Sequence, residues 1–117
     1  MLVADDSLTT RTLERSILEA AGYEVQIAAD GGEALQVLRG QPIDLVVSDV
    51  DMPVLDGFAL TSEIRRDEKL KQIPVVLVTS LEAQQHRERG VAVGADAYVV
   101  KSQFDQDELL AAIRRLI

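Results

Sequence analysis

Short β-branched runs alternate along this chain with segments of helical periodicity, and that alternation restricts its possible folds more than any other feature. Leu2-Val3-Ala4, Val25-Gln26-Ile27-Ala28-Ala29, Asp44-Leu45-Val46-Val47-Ser48, Pro74-Val75-Val76-Leu77-Val78 and Ala97-Tyr98-Val99-Val100 are near-continuous apolar runs. Strands covered on both faces in a parallel sheet read this way. Between them Leu13, Ile17 and Leu18, then Ala34, Leu35 and Leu38, then Leu109, Leu110, Ile113, Leu116 and Ile117 recur at helical spacing and are expected to face the core. Ser7, Asp30 or Gly31, and Asp105 stand where N-caps belong, and Gly22 and Gly40 stand just past expected helix ends. The segment from Glu82 to Arg89 has helix-forming residues but no apolar stripe beyond Ala83 and Val91, so it predicts a weakly anchored helix. Five βα units with right-handed crossovers predict an α/β, flavodoxin-like, doubly wound sheet of five parallel strands in the order 2-1-3-4-5. Residues 1–117 are expected to form one domain, since 117 residues at 47% hydrophobic content suit one core. The first strand starts almost with the chain, as expected of a segment of something longer.

Charge narrows the function. Twelve Lys and Arg against 20 Asp and Glu leave a net charge of −8, which repels phosphate backbones and anionic headgroups and predicts no direct nucleic-acid contact. No apolar run approaches the ~20 residues that span a bilayer, so no membrane insertion and a cytoplasmic location are expected. The absence of Cys removes disulfides, thiolate metal sites and a cysteine nucleophile, and a lone His86 cannot form a polyhistidine site.

In an open parallel sheet, ligands bind beyond the carboxyl ends of the strands. Here those ends are polar: Asp5-Asp6 after the first strand, Asp49 at the third, Thr79-Ser80 at the fourth and Lys101 at the fifth. Three neighbouring carboxylates repel one another unless protons or a cation offset the charge. A site of oxygen donors without His or Cys suits Mg²⁺, whose remaining positions take water or phosphate oxygens. A carboxylate can be the nucleophile for a phosphoryl group while a metal, an ammonium and a hydroxyl spread the transferred charge. Asp49, followed by Met52-Pro53 and Asp56-Gly57, is the best placed.

Asp5-Asp6, Asp49-x-x-Met52-Pro53-x-x-Asp56-Gly57, Val78-Thr79-Ser80 and Gly94-Ala95-Asp96-Ala97-Tyr98-Val99-Val100-Lys101 together resemble the receiver domain of response regulators, the CheY-like phosphoacceptor module, over essentially the full length. The resemblance implies that Asp49 takes a phosphoryl group from a phosphohistidine on a histidine kinase or histidine phosphotransfer domain. It further implies that Asp6 and Asp49 ligate Mg²⁺ directly, Asp5 acts largely through water and Asp51 supplies its backbone carbonyl. Lys101 and Thr79 would meet the phosphoryl oxygens, Tyr98 would turn inward behind Thr79, and a downstream reader would bind the surface of the fourth helix, fifth strand and fifth helix. The small Ser80 leaves room for phosphoryl access. Ser102 stands where the family usually has Pro, so the loop carrying Lys101 is expected to differ, and Asp51 with Glu82 would place acidic side chains near the phosphoryl. The run from Lys101 to Leu110 is similar to the tail of receivers in chemotaxis-type hybrid histidine kinases.

Plainer readings exist for each residue. Asp5-Asp6 could be helix-capping acids, Tyr98 a packing residue, His86 a solvated one, and Arg65-Arg66, Arg87, Arg89 and Arg114-Arg115 solubilising charges. Two rival functions also fit part of this pattern. Asp49-Val50-Asp51 after an apolar strand fits a haloacid-dehalogenase-type phosphatase, with Asp49 as nucleophile and Asp51 as general acid. That reading leaves Asp5-Asp6 unexplained. A receiver-like interaction module that is never phosphorylated is the other, and the intact acidic set gives no motive for it.

Overall fold

A computed structural model describes residues 1–80, 84–100 and 106–117. Glu82, Ala83, Lys101, Ser102 and the expected cap Asp105 lie outside the described residues. The elements run β1 (Leu2–Ala4), α1 (Leu8–Ala20), β2 (Gln26–Ala28), α2 (Gly31–Gly40), β3 (Val46–Asp49), α3 (Gly57–Arg66), β4 (Val75–Thr79), α4 (Gln84–Val93), β5 (Ala97–Val100) and α5 (Gln106–Leu116). The strands form one five-stranded sheet in the order β2-β1-β3-β4-β5, and every pairing is parallel. The expected strand order and fold are those observed.

The apolar runs are continuous because successive side chains of a strand point to opposite faces, and here both faces are covered. Val3, Val47, Val76 and Val78 join Ile17 and Leu18 of α1 and Leu109 and Ile113 of α5 in one core. Their neighbours Leu2, Ala4, Val46, Val75 and Leu77 join Ala34 and Leu38 of α2 and Phe58, Leu60 and Ile64 of α3 in the other. The two layers bury the central strands completely, so the sheet offers polar chemistry only at its ends.

The caps follow local chemistry. Ser7 accepts from the Thr10 amide at 3.3 Å and Asp30 from the Glu33 amide at 2.8 Å, each satisfying a donor that the first helical turn leaves unpaired. Asp30, not Gly31, is therefore the cap of α2. Gly22, at φ +97°, lies just past α1 as expected. Gly40 does not lie beyond α2 but is its last residue, with Gln41 as the C-cap.

Expectations for four helix residues are corrected. Leu13 is 51% exposed and Ile117 53% exposed, and α1 instead turns Glu14 into the interior. The stripe of α1 is thus set by Ile17 and Leu18, with Leu13 rotated off it. Val91, expected to anchor α4, is 74% exposed, while Gly90 is the buried residue. Arg65 is no solubilising charge. Its Nε donates to the Gly94 carbonyl at 3.0 Å, Nη1 to the carbonyls of Lys71 and Ile73 at 3.0 and 2.6 Å, and Nη2 to Asp96 at 2.8 Å. The same Asp96 carboxylate accepts the Val75 amide at 2.8 Å. A planar guanidinium can serve such a fan of acceptors, whereas an ammonium cannot.

This fan ties the end of α3 to the start of β4 and to the turn between α4 and β5. Arg65→Ala should cost about 2–3 kcal/mol in chemical denaturation, and Arg65→Lys should recover little of it. A loss below ~0.5 kcal/mol would assign the fold's closure at this edge to other contacts.

Candidate functional site

Register brings the acidic residues together. Ala4 of β1 is paired with Ser48 of β3, so Asp5 and Asp49 continue adjacent strands at the same edge. Asp49 is paired with Val78 of β4, which sets Thr79 one residue further along the neighbouring strand, and Thr79 faces Val100, the residue before Lys101. Carboxylate oxygens of Asp5, Asp6 and Asp49 all lie within 4.8 Å of one another. Asp5 is fully buried and Asp49 is 6% exposed, while Asp6 is open to solvent. The side chain of Asp51 is exposed and outside this trio.

Each position is held by its own backbone. The Asp5 amide donates to the Ala28 carbonyl at 3.1 Å, its carboxylate accepts the Ser7 amide at 2.8 Å, and its carbonyl accepts Arg11 Nη1 at 2.8 Å. The bond from Arg11, at the end of the first turn of α1, was not legible in the sequence, where nothing marks that arginine apart from its helical setting. The Asp49 carbonyl accepts the Ser48 hydroxyl at 2.8 Å. Beyond it, Asp56 caps α3 by accepting the Ala59 amide at 2.8 Å, and the Gly57 amide donates to the Val50 carbonyl at 2.8 Å.

That approach needs glycine. A Cβ on Gly57 would collide with the Asp49 carbonyl oxygen and lie 2.9 Å from the Val50 Cα; one on Gly31 would collide with the Leu55 carbonyl oxygen and lie 2.6 Å from the Leu55 Cβ. Between them the loop makes a γ-turn in which the Leu55 amide donates to the Pro53 carbonyl at 2.7 Å around Val54, at φ +71°. A β-branched residue there is strained by about 1–3 kcal/mol, and Val54 is 83% exposed.

On the far side of Asp49, Thr79 is fully buried and Ser80 exposed. The hydroxyls of Thr79 and half-buried Tyr98 share a hydrogen bond. Burial raises the phenol's pKa above its ordinary value; the Thr79 bond and the Arg87 guanidinium oppose that shift, and the Asp51 carboxylate adds to it. His86 is half-buried on α4 rather than fully solvated.

The donor set is made of oxygen alone. Octahedral Mg²⁺ places its ligand oxygens at most ~4.2 Å apart across the ion, so three oxygens within 4.8 Å need only a small contraction to share one. A cation there also offsets the repulsion between two buried carboxylates and a third beside them.

The response regulator receiver domain model matches residues 1–114 of this chain. The chain is 38% identical over 116 residues to the gliding motility regulatory protein of Myxococcus xanthus, covering 99% of this chain and 15% of that protein. Among solved structures, chemotaxis protein CheY4 of Vibrio cholerae superposes with a TM-score of 0.92 at 36% identity, over 99% of this chain and 96% of that one. The receiver domain of sensor histidine kinase PA1611 from Pseudomonas aeruginosa, which carries a magnesium ion coordinated in its active-site cleft, superposes at 0.89 with 31% identity, over 98% and 93% of the two chains. The chain spans about half or less of the length of the curated relatives it matches.

Two outcomes are expected. Mg²⁺ at a hundred times its dissociation constant should add ~2.7 kcal/mol of stability, read as a rise in melting temperature; identical melting curves with and without the ion would contradict the site. Gly57→Ala should lose more than about 2 kcal/mol through the clash with the Asp49 backbone, whereas Val54→Gly, which releases the turn, should be neutral or stabilising by up to ~1 kcal/mol. Urea denaturation of both variants checks the pair, and the reverse ranking would refute this description of the loop.

Proposed function

The chain belongs to the response regulator receiver domain family, and we propose that Asp49 is its phosphoacceptor, charged by a phosphohistidine on a histidine kinase or histidine phosphotransfer domain. The observation that carries this reading is the placement of an Asp49 carboxylate oxygen within 4.8 Å of oxygens from both Asp5 and Asp6, at the open end of the central strand. Mg²⁺, when bound, supplies positive charge for the phosphoryl oxygens and for the crowded carboxylates. Asp6 and Asp49 would hold it directly, Asp5 through water, and Asp51 through its backbone carbonyl. The exposed Asp51 side chain leaves that carbonyl role open to it.

In the transfer, an Asp49 carboxylate oxygen forms a bond to phosphorus as the bond from phosphorus to the imidazole nitrogen breaks. The electron pair stays on that nitrogen, which takes up a proton. Ser80, small and exposed, leaves the approach clear. Thr79 on the neighbouring strand would meet a phosphoryl oxygen, Lys101, which follows Val100 in the sequence, would add positive charge, and Tyr98, bonded to Thr79, would carry the change to the face of α4, β5 and α5, where a downstream reader binds. The chemistry is self-limited to the chain's own Asp49, and no turnover of outside substrates is expected. The phosphatase reading of Asp49 and Asp51 leaves buried Asp5 without a role, and family membership displaces it.

Incubation with acetyl phosphate and Mg²⁺ should add one phosphoryl group to the intact mass, and Asp49→Asn should abolish the gain while keeping the fold. Full labelling of Asp49→Asn would move the acceptor elsewhere, and no labelling of the parent chain would favour a silent interaction module.

A further inference from the structure

A surface helix is ordinarily fastened by an apolar stripe, and α4 has almost none. Val91 is exposed, Val93 is half-buried, and among the described residues 85–93 the buried one is Gly90. Two arginines act in place of a stripe. The Arg89 guanidinium lies over the Phe58 ring of α3 at 4.5 Å from its centroid, and the Arg87 guanidinium lies over the Tyr98 ring of β5 at 5.1 Å. Both distances are within the ~6 Å reach of a cation–π contact. Gly90 then brings the helix backbone onto the same phenol, since a Cβ there would stand 3.1 Å from Tyr98 Cδ2 and 3.5 Å from Leu77 Cδ1. The carboxyl end of α4 is secured separately, because the Gly94 carbonyl accepts Arg65 Nε and the Ala95 amide returns to the Gly90 carbonyl at 3.0 Å.

The ring that Arg87 covers belongs to the hydroxyl that meets Thr79. We propose that Arg87 is a positioning residue for Thr79: with Gly90 it clamps the Tyr98 ring so that the phenol hydroxyl sits on the Thr79 hydroxyl, while Arg89 on Phe58 holds the same helix against α3. The seat of α4 and the placement of Thr79 are then one mechanical unit. The inference rests on the reading above only in that Thr79 is the group that meets the phosphoryl. The clamp itself belongs to the unphosphorylated protein.

Cation–π contacts at this exposure change a local opening equilibrium by about 2- to 5-fold each. Amide hydrogen exchange on the unphosphorylated protein should therefore show α4 opening about 2- to 5-fold more readily in Arg87→Gln and in Arg89→Gln, and roughly 4- to 25-fold more readily in the double variant. Amides of β3 and β4 should stay unchanged, and Arg87→Lys should restore part of the protection. Unchanged α4 exchange in the double variant, or acceleration spread equally through β3 and β4, would overturn the proposal. In a Tyr23→Phe background the Tyr98 phenol can be titrated by ultraviolet absorbance. Arg87→Gln should move its midpoint upward, since the nearby cation favours phenolate, and Arg89→Gln should not. Thr79→Val should raise it too, and combining Thr79→Val with Arg87→Gln should give less than the sum of the two shifts, because the clamp makes the shared bond. A midpoint indifferent to Arg87→Gln, or shifts that simply add, would refute the positioning role. Acetyl phosphate labelling separates the two readings: a parent chain that is never labelled refutes the acceptor and leaves the exchange and titration results standing.

Discussion

Mutual repulsion among three carboxylates at one end of a parallel sheet is the constraint around which this structure is arranged. Parallel pairing of β1 with β3 sets Asp5 and Asp49 side by side, and the covering helices line the faces of the central strands mainly with apolar side chains. Asp5 and Asp49 are both buried, where two like charges interact more strongly than in water. The Ser7 amide donates to the Asp5 carboxylate, and the trio has an open side, at Asp6, through which a hard cation can enter.

The surrounding loop is built for closeness. Gly31 and Gly57 let the chain pass where a methyl group would not fit, and the strain at Val54 is held in place by the cap at Asp56 and the Gly57 bond to Val50. A loop fixed in this way holds Asp49 in place, and the proposed response lies on the other side, in Thr79, Tyr98 and α4. The proposed division of labour is physical: well-packed strands would carry the acceptor, and a helix without an apolar stripe would carry the response.

Much of this was legible in the chain itself. Alternation of apolar runs with helical stripes yielded the strand order, because βα units with covered strands have few topologies, and the polar strand ends marked the acidic edge. What was not legible has specific causes. Leu13 matched the helical period yet faces solvent, since a stripe of three positions does not settle the rotation of α1 when Glu14 is the residue turned inward. Gly40 looked like a terminator but continues the last turn of α2. Arg65, Arg87 and Arg89 read as solvated charges because their acceptors and rings lie on other elements, 6 to 31 residues away for the hydrogen bonds of Arg65. The bond from Arg11 to the Asp5 carbonyl left no sequence signal for the same reason.

Long-range partners of single side chains are thus the part that only coordinates disclose, while the site's acidic composition is written in the strand ends. The central claim is that these carboxylates share one hard cation beside Asp49. Crystals soaked in Mn²⁺, an oxygen-preferring stand-in with a usable anomalous signal, test it most directly. One anomalous peak within bonding distance of Asp6 and Asp49 is the expected result. An empty edge at saturating Mn²⁺, with peaks only on exposed acids such as Glu68, would contradict the account.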